Sequence, residues 1–139
     1  MLIVDDHLAL LAVTGRLPYG LPAGPVATTY CFHFRLSRAV ADSERQRGQE
    51  GLGALSRLAP GVALARVLAP PPDRLVVLDD RSSLAEAVDV ATRHTANLLL
   101  AQLVGAARHH AAAVRVTAAN CGRSWKAVMR SERIDFATV

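Results

Sequence analysis

The sequence predicts a three-layer α/β fold, with helices on both faces of a mostly parallel sheet of four or five strands. Two observations predict it. Short apolar runs of strand length, Leu2–Val4, Val26–Ala27, Leu75–Leu78, Val114–Thr117 and Ile134–Val139, alternate with longer stretches of helical character. That alternation is the pattern of a parallel sheet covered by crossover helices. The run Leu75-Val76-Val77-Leu78 is apolar at every position, as a strand buried on both faces requires. The 139 residues suffice for one ordinary domain with its own core, so a single domain over 1–139 is expected.

The first strand, Leu2-Ile3-Val4, runs directly into Asp5 and Asp6 and then into the apolar helix former Leu8-Ala9-Leu10-Leu11. Asp6 reads either as the cap of that helix or as a rim carboxylate. Asp5 directly follows a buried strand and needs a partner to offset its desolvation. Gly15 to Pro25 is a turn-rich connection with three glycines and three prolines. Thr28 or Thr29 then caps a helix to about Ser43, with Tyr30, Phe32, Phe34, Leu36 and Val40 as its apolar content. Residues 45–53, polar and holding three glycines, are the best candidate for a mobile loop. Residues 54–69 look helical but are interrupted at Pro60-Gly61, and Pro70-Pro71-Pro72 ends them.

After the third strand come Asp79 and Asp80, which read as helix caps. Ser83 with Glu86 fits a capping box opening a helix to about His94. The stretch from Ala96 to about His110 is almost wholly apolar and should be the central packed helix. Ala118–Arg123 reads as a loop, and Ser124 caps a short helix containing Trp125.

Composition bounds the function. Apolar residues make up 51% and charged residues 20%, which excludes a disordered chain. The net charge is +4 and the pI about 9.8, a balance that suits a phosphate-bearing partner such as RNA. Cys31 and Cys121 lie far apart, with neither metal-type spacing nor a disulfide framework. Carboxylates at positions 5 and 6 speak against a secretory leader, and the longest uncharged apolar stretch, Thr95–Ala107, is too short to span a bilayer. A cytoplasmic protein that does not engage membranes is expected.

In an open α/β sheet, ligands sit beyond the carboxyl ends of the strands. The strand ends supply Asp5, Asp6, Thr28, Thr29, Asp79, Asp80, Thr117 and Asn120. Carboxylates converging there would hold a hard cation such as Mg²⁺, and two such ions can activate water against a phosphodiester. Arg35, Arg38, Arg45 and Arg47 form a basic row that reads as phosphate-facing or as a solvated face. No histidine has the HExxH spacing, and neither a nucleophile elbow nor a phosphate loop occurs.

Leu2-Ile3-Val4-Asp5 followed by Leu8-Ala9-Leu10-Leu11 resembles the start of PIN domains, especially the bacterial VapC-type toxin ribonucleases. Ala101–Ala107 followed by Val114-Arg115-Val116-Thr117 resembles their late helix and its valine-threonine strand end, and Leu75–Asp80 resembles the strand between. The similarity covers nearly the whole chain and implies four acidic groups around Mg²⁺ or Mn²⁺. Asp5 matches the first. The second falls near Phe34-Arg35, the third on Ala101 or Asn97, and the fourth near Asn120. An arginine among metal ligands opposes cation binding by like-charge repulsion.

Three functions stay open at this point. One is a PIN-like, toxin-family protein that engages RNA with a weakened or lost metal site. The second is an active Mg²⁺- or Mn²⁺-dependent endoribonuclease whose missing acids are replaced by Asp6, Glu44 or Asp79. The third is a non-enzymatic module in a homodimer or bound to an antitoxin-like protein, cued by the aromatics from Tyr30 to Phe34. The expected site has Asp5 facing a rim cleft beside Asp6, with Asn120 across from them and Asn97 a weaker member. It holds no tightly bound divalent ion, and Arg35 pairs with Asp5.

Overall fold

The computed structural model describes residues 1–45 and 61–139. Five strands, β1 (Leu2–Val4), β2 (Val26–Thr28), β3 (Leu75–Val77), β4 (Ala113–Val116) and β5 (Phe136–Thr138), form one all-parallel sheet in the order β3-β2-β1-β4-β5. Among the described residues the helices are α1 (Asp6–Thr14), α2 (Tyr30–Arg45), α3 (Leu64–Leu68), α4 (Leu84–His94), α5 (Leu98–His109) and α6 (Trp125–Ser131), with a 3₁₀ turn at Ala118–Asn120. The fold is α/β with helices on both faces, as the alternation of the sequence predicts.

The pleat divides the strand side chains between two cores. Ile3, Ala27, Val114 and Val116 face a core shared with Leu100, Leu103, Val104 and Trp125 of α5 and α6. Leu2, Val4, Val26 and Leu75 face the other, with Leu8, Leu10 and Val13 of α1 and Leu36 and Val40 of α2. Helix α5 is buried along most of its length, as expected of the central helix. It crosses α4 closely because Gly105 has no side chain. A Cβ there would lie 2.6 Å from the Ala87 backbone nitrogen.

Three local expectations are corrected. β3 is an edge strand, and Val76 is 40% exposed; an apolar run does not reveal whether a second neighbour pairs with it. The Ser83–Glu86 capping box does not form. Ser83 makes no side-chain cap bond, and the Glu86 carboxylate instead reaches His109 at 3.1 Å. Ser124 likewise starts α6 without a side-chain cap bond. Of the aromatics at the start of α2, Tyr30 and Phe34 are 56% and 55% exposed, whereas Phe32 between them is fully buried. Of the helical stretch 54–69, residues 61–69 are described, and Leu64–Leu68 of them form α3. The loop 45–53, except for the last residue of α2, and Arg47 lie outside the described residues. Both cysteines are free thiols. Among the described residues, no helix is long and apolar enough to cross a membrane.

Candidate functional site at the switch point

In a doubly wound sheet, the crevice opens where consecutive connections leave in opposite directions. Here β1 is flanked by β2 on one side and β4 on the other, so the crevice lies beyond the ends of β1 and β4. The parallel register pairs Leu2 with Ala113, Ile3 with Val114 and Val4 with Arg115. The residues just after Val4 and after Val116 are thereby brought together.

Asp5 is the N-cap of α1. Its extended backbone ends β1, and its Oδ1 accepts from the Leu8 N–H at 3.0 Å. Capping therefore falls to Asp5, and Asp6 sits inside the first turn. Asp5 Oδ2 accepts from the Thr117 N–H and hydroxyl, each at 2.7 Å, and from the Asn120 amide at 2.9 Å. Four accepted bonds are about as many as a carboxylate takes. Asp6 Oδ1 accepts from the His7 N–H at 3.0 Å and from Asn120 at 2.6 Å. Its Oδ2 accepts no hydrogen bond and instead faces Arg35 Nε at 3.2 Å. Asp5 and Asp6 are both fully buried.

Asn120 joins the parts. Its Nδ2 lies within 3.0 Å of Asp5 Oδ2, Asp6 Oδ1 and His7 Nδ1, while its Oδ1 accepts from Arg35 Nη2 at 3.3 Å. The amide has two protons, one for each carboxylate, and His7 Nδ1 stands 3.1 Å from Asp6 Oδ1. Arg35 is placed by Asp6, by Asn120 and by the Phe32 ring, whose centroid lies 5.8 Å from its guanidinium carbon. Trp125 packs edge-on against the same ring, with centroids 6.4 Å apart.

The crevice thus gathers Asp5, Asp6, Asn120, Thr117 and Arg35, all read from the sequence as site residues. Arg35 pairs with Asp6 and not with Asp5, because Asp5 is already saturated. Other candidates are used elsewhere. Thr28 donates to the Val4 carbonyl at 2.9 Å, and Thr29 starts α2 by accepting from the Phe32 N–H at 3.5 Å. Asn97 caps α5 through the Leu100 N–H, Glu44 accepts from the Leu64 N–H, and Asp79 closes its own turn on the Arg81 N–H. Arg38 is exposed and pairs loosely with Asp42 at 3.9 Å, and Arg45 ends α2. Sequence reasoning missed His7. Its signal was the run of three consecutive polar residues at a buried strand–helix junction.

A second polar corner lies at the start of α2. Asp80 accepts from the Tyr30 N–H at 3.3 Å. Burial pushes its carboxyl above the ordinary value, against the lowering effect of that bond and of one from Gln102. Burial also raises the neighbouring Cys31 thiol, with the Asp80 charge adding to it.

One oxygen each from Asp5 and Asp6 and a ring nitrogen of His7 lie within 4.8 Å of one another, near enough to share a cation. The donor set does not fit Mg²⁺. Among the described residues only two carboxylates stand there, Asp5 is saturated, and Asp6 already faces a guanidinium. Mg²⁺ gives up its waters reluctantly and needs charge to replace them. The chain matches no protein-family model and no curated protein.

Proposed function

We propose that this chain is a PIN-like, VapC-type cytoplasmic protein that binds RNA and whose acidic metal site has been closed by its own side chains. One observation carries the reading. Arg35 and Asn120 occupy the buried carboxylates from within the chain, so a guanidinium stands where the resemblance implies an acid. Arg35 keeps 42% of its side chain exposed at the mouth of the crevice, and guanidinium groups suit phosphate oxygens. Arg123 and Lys126, on either side of the Ser124-Trp125 start of α6, are also exposed. The same reading includes an antitoxin-like partner or a second copy. Leu84 and Val88, one turn apart on α4, are each more than half exposed.

The test combines thermal melting with RNA binding and cleavage. The expected results are binding that weakens as salt rises, a melting temperature indifferent to Mg²⁺ and Mn²⁺, and no metal-dependent cleavage. The clustering of Asp5, Asp6 and His7 favours the alternative of an active metal-dependent endoribonuclease. That alternative takes its place if divalent ions raise the melting temperature and Asp5→Asn removes both the shift and RNA cleavage. Light scattering decides between monomer and homodimer.

A further inference from the structure

The outer face of α2 carries a feature that closure of the acidic site does not explain. Positions 30, 34 and 38 lie on one helical stripe, about 6 Å apart along the axis. They hold Tyr30, Phe34 and Arg38. Both rings are more than half exposed, and the Arg38 side chain is 74% exposed. The opposite stripe, Phe32, Leu36 and Val40, is the buried one. Arg35 follows Phe34 and turns its guanidinium to the crevice.

We infer that this face is a stacking track for single-stranded RNA, in which unpaired bases lie on Tyr30 and Phe34 while the phosphates run past Arg35 and Arg38. The inference rests on the RNA reading above and names the form of RNA. Exposed aromatics interleaved with cations are the composition of surfaces that hold single strands, because every base has a π-face and every linkage a negative charge. Phe34 has Arg35 next to it in the chain and Arg38 one turn on, so the phosphate beside a base stacked on that ring meets a positive charge. The track has a polarity. Asp79 and Asp80 stand at the Tyr30 end, where Asp80 accepts from the Tyr30 N–H. Phosphates are repelled there and drawn toward Arg35. A duplex cannot use the rings, since its bases are already stacked on one another.

The experiment titrates the chain against a labelled single-stranded oligoribonucleotide of about a dozen nucleotides and against the same sequence as a duplex, over a series of salt concentrations. The unaltered chain is expected to bind the single strand more tightly. Tyr30→Ala with Phe34→Ala should weaken that binding by about ten-fold or more without changing the slope of log affinity on log salt. Arg38→Ala should lower that slope. Phe34→Trp should keep the affinity, and Phe34→Leu, which folds with an apolar side chain but no ring, should lose it.

Single-strand binding that survives loss of the rings, or that Phe34→Leu retains in full, overturns the inference and leaves the RNA reading standing. Loss of self-association in the ring variants with unchanged RNA affinity also overturns it, and makes the face a protein contact. If the unaltered chain binds no RNA of either form, both readings fall together.

Discussion

Arg35 Nε lies 3.2 Å from Asp6 Oδ2, an ion pair between a half-exposed guanidinium and a fully buried carboxylate. No hydrogen bond reaches that oxygen, so the arginine is its sole compensation among the described residues. A buried carboxylate left without its partner costs more than the pair itself contributes. Arg35→Ala should therefore lower stability by about 1–3 kcal/mol, read by urea unfolding. Asp6→Asn should cost less, and the double variant should lose clearly less than the sum of the two. Additive losses would show that the pair is not coupled.

Asn120→Asp tests the closure from the opposite side. The amide now gives a proton to each of Asp5 and Asp6. A carboxylate in its place would set three acceptor groups against one another, and like charges at such distances disfavour ionisation. The variant should melt at lower temperature than the natural chain in chelator. Added Mn²⁺ should restore much of the loss, while the natural chain stays unaffected. Equal melting of both proteins in chelator would contradict the arrangement.

Gly105→Ala should destabilise the fold by about 1–3 kcal/mol although alanine is the better helix former. The added methyl would meet the backbone of Ala87, its nearest atom 2.6 Å away, and a backbone cannot rotate out of the way. A melting temperature at or above that of the natural chain would show that the two helices can part at little cost.

Glu132 carries a pH dependence. Its side chain is 6% exposed and is held by Arg93 at 2.8 Å and His94 at 2.6 Å, with Arg108 at 3.5 Å. Burial pushes its carboxyl up, but the bonds from Arg93 and His94 outweigh burial and hold it below the ordinary value. A depressed native pKa contributes stability above the unfolded value, and that stability is lost as pH falls through the native one. Stability should therefore decline below about pH 4, and Glu132→Gln should be less stable at neutral pH with a shallower acid decline. An unchanged acid limb in the variant would assign the effect to other carboxylates.

The layers of the fold were legible because strand and helix periods differ and the apolar runs obey them. Asp5, Asp6, Thr117 and Asn120 were legible for a topological reason: they lie within four residues of the ends of β1 and β4, and a parallel sheet delivers those ends to one edge. What stayed hidden depends on side-chain direction. The aromatics at 30, 32 and 34 look like one apolar group in a linear reading. On a helix, 32 joins 36 and 40 on one side, and 30 and 34 turn the other way. The exchange of capping between Asp5 and Asp6 is likewise set by where the strand stops, and Arg35 reaches Asp6 because the bonds of Asp5 are already taken.

The reach of Asp5 also orders events in time. Three of its four bonds come from Thr117 and Asn120, 112 and 115 positions further along the chain. During synthesis the amino-terminal part emerges first, and long-range closures are slow to form. Until β4 docks, Asp5 and Asp6 have water in place of those distant partners. The crevice is therefore completed only once β4 has docked beside β1, and the protection of its amides from hydrogen exchange reports that docking.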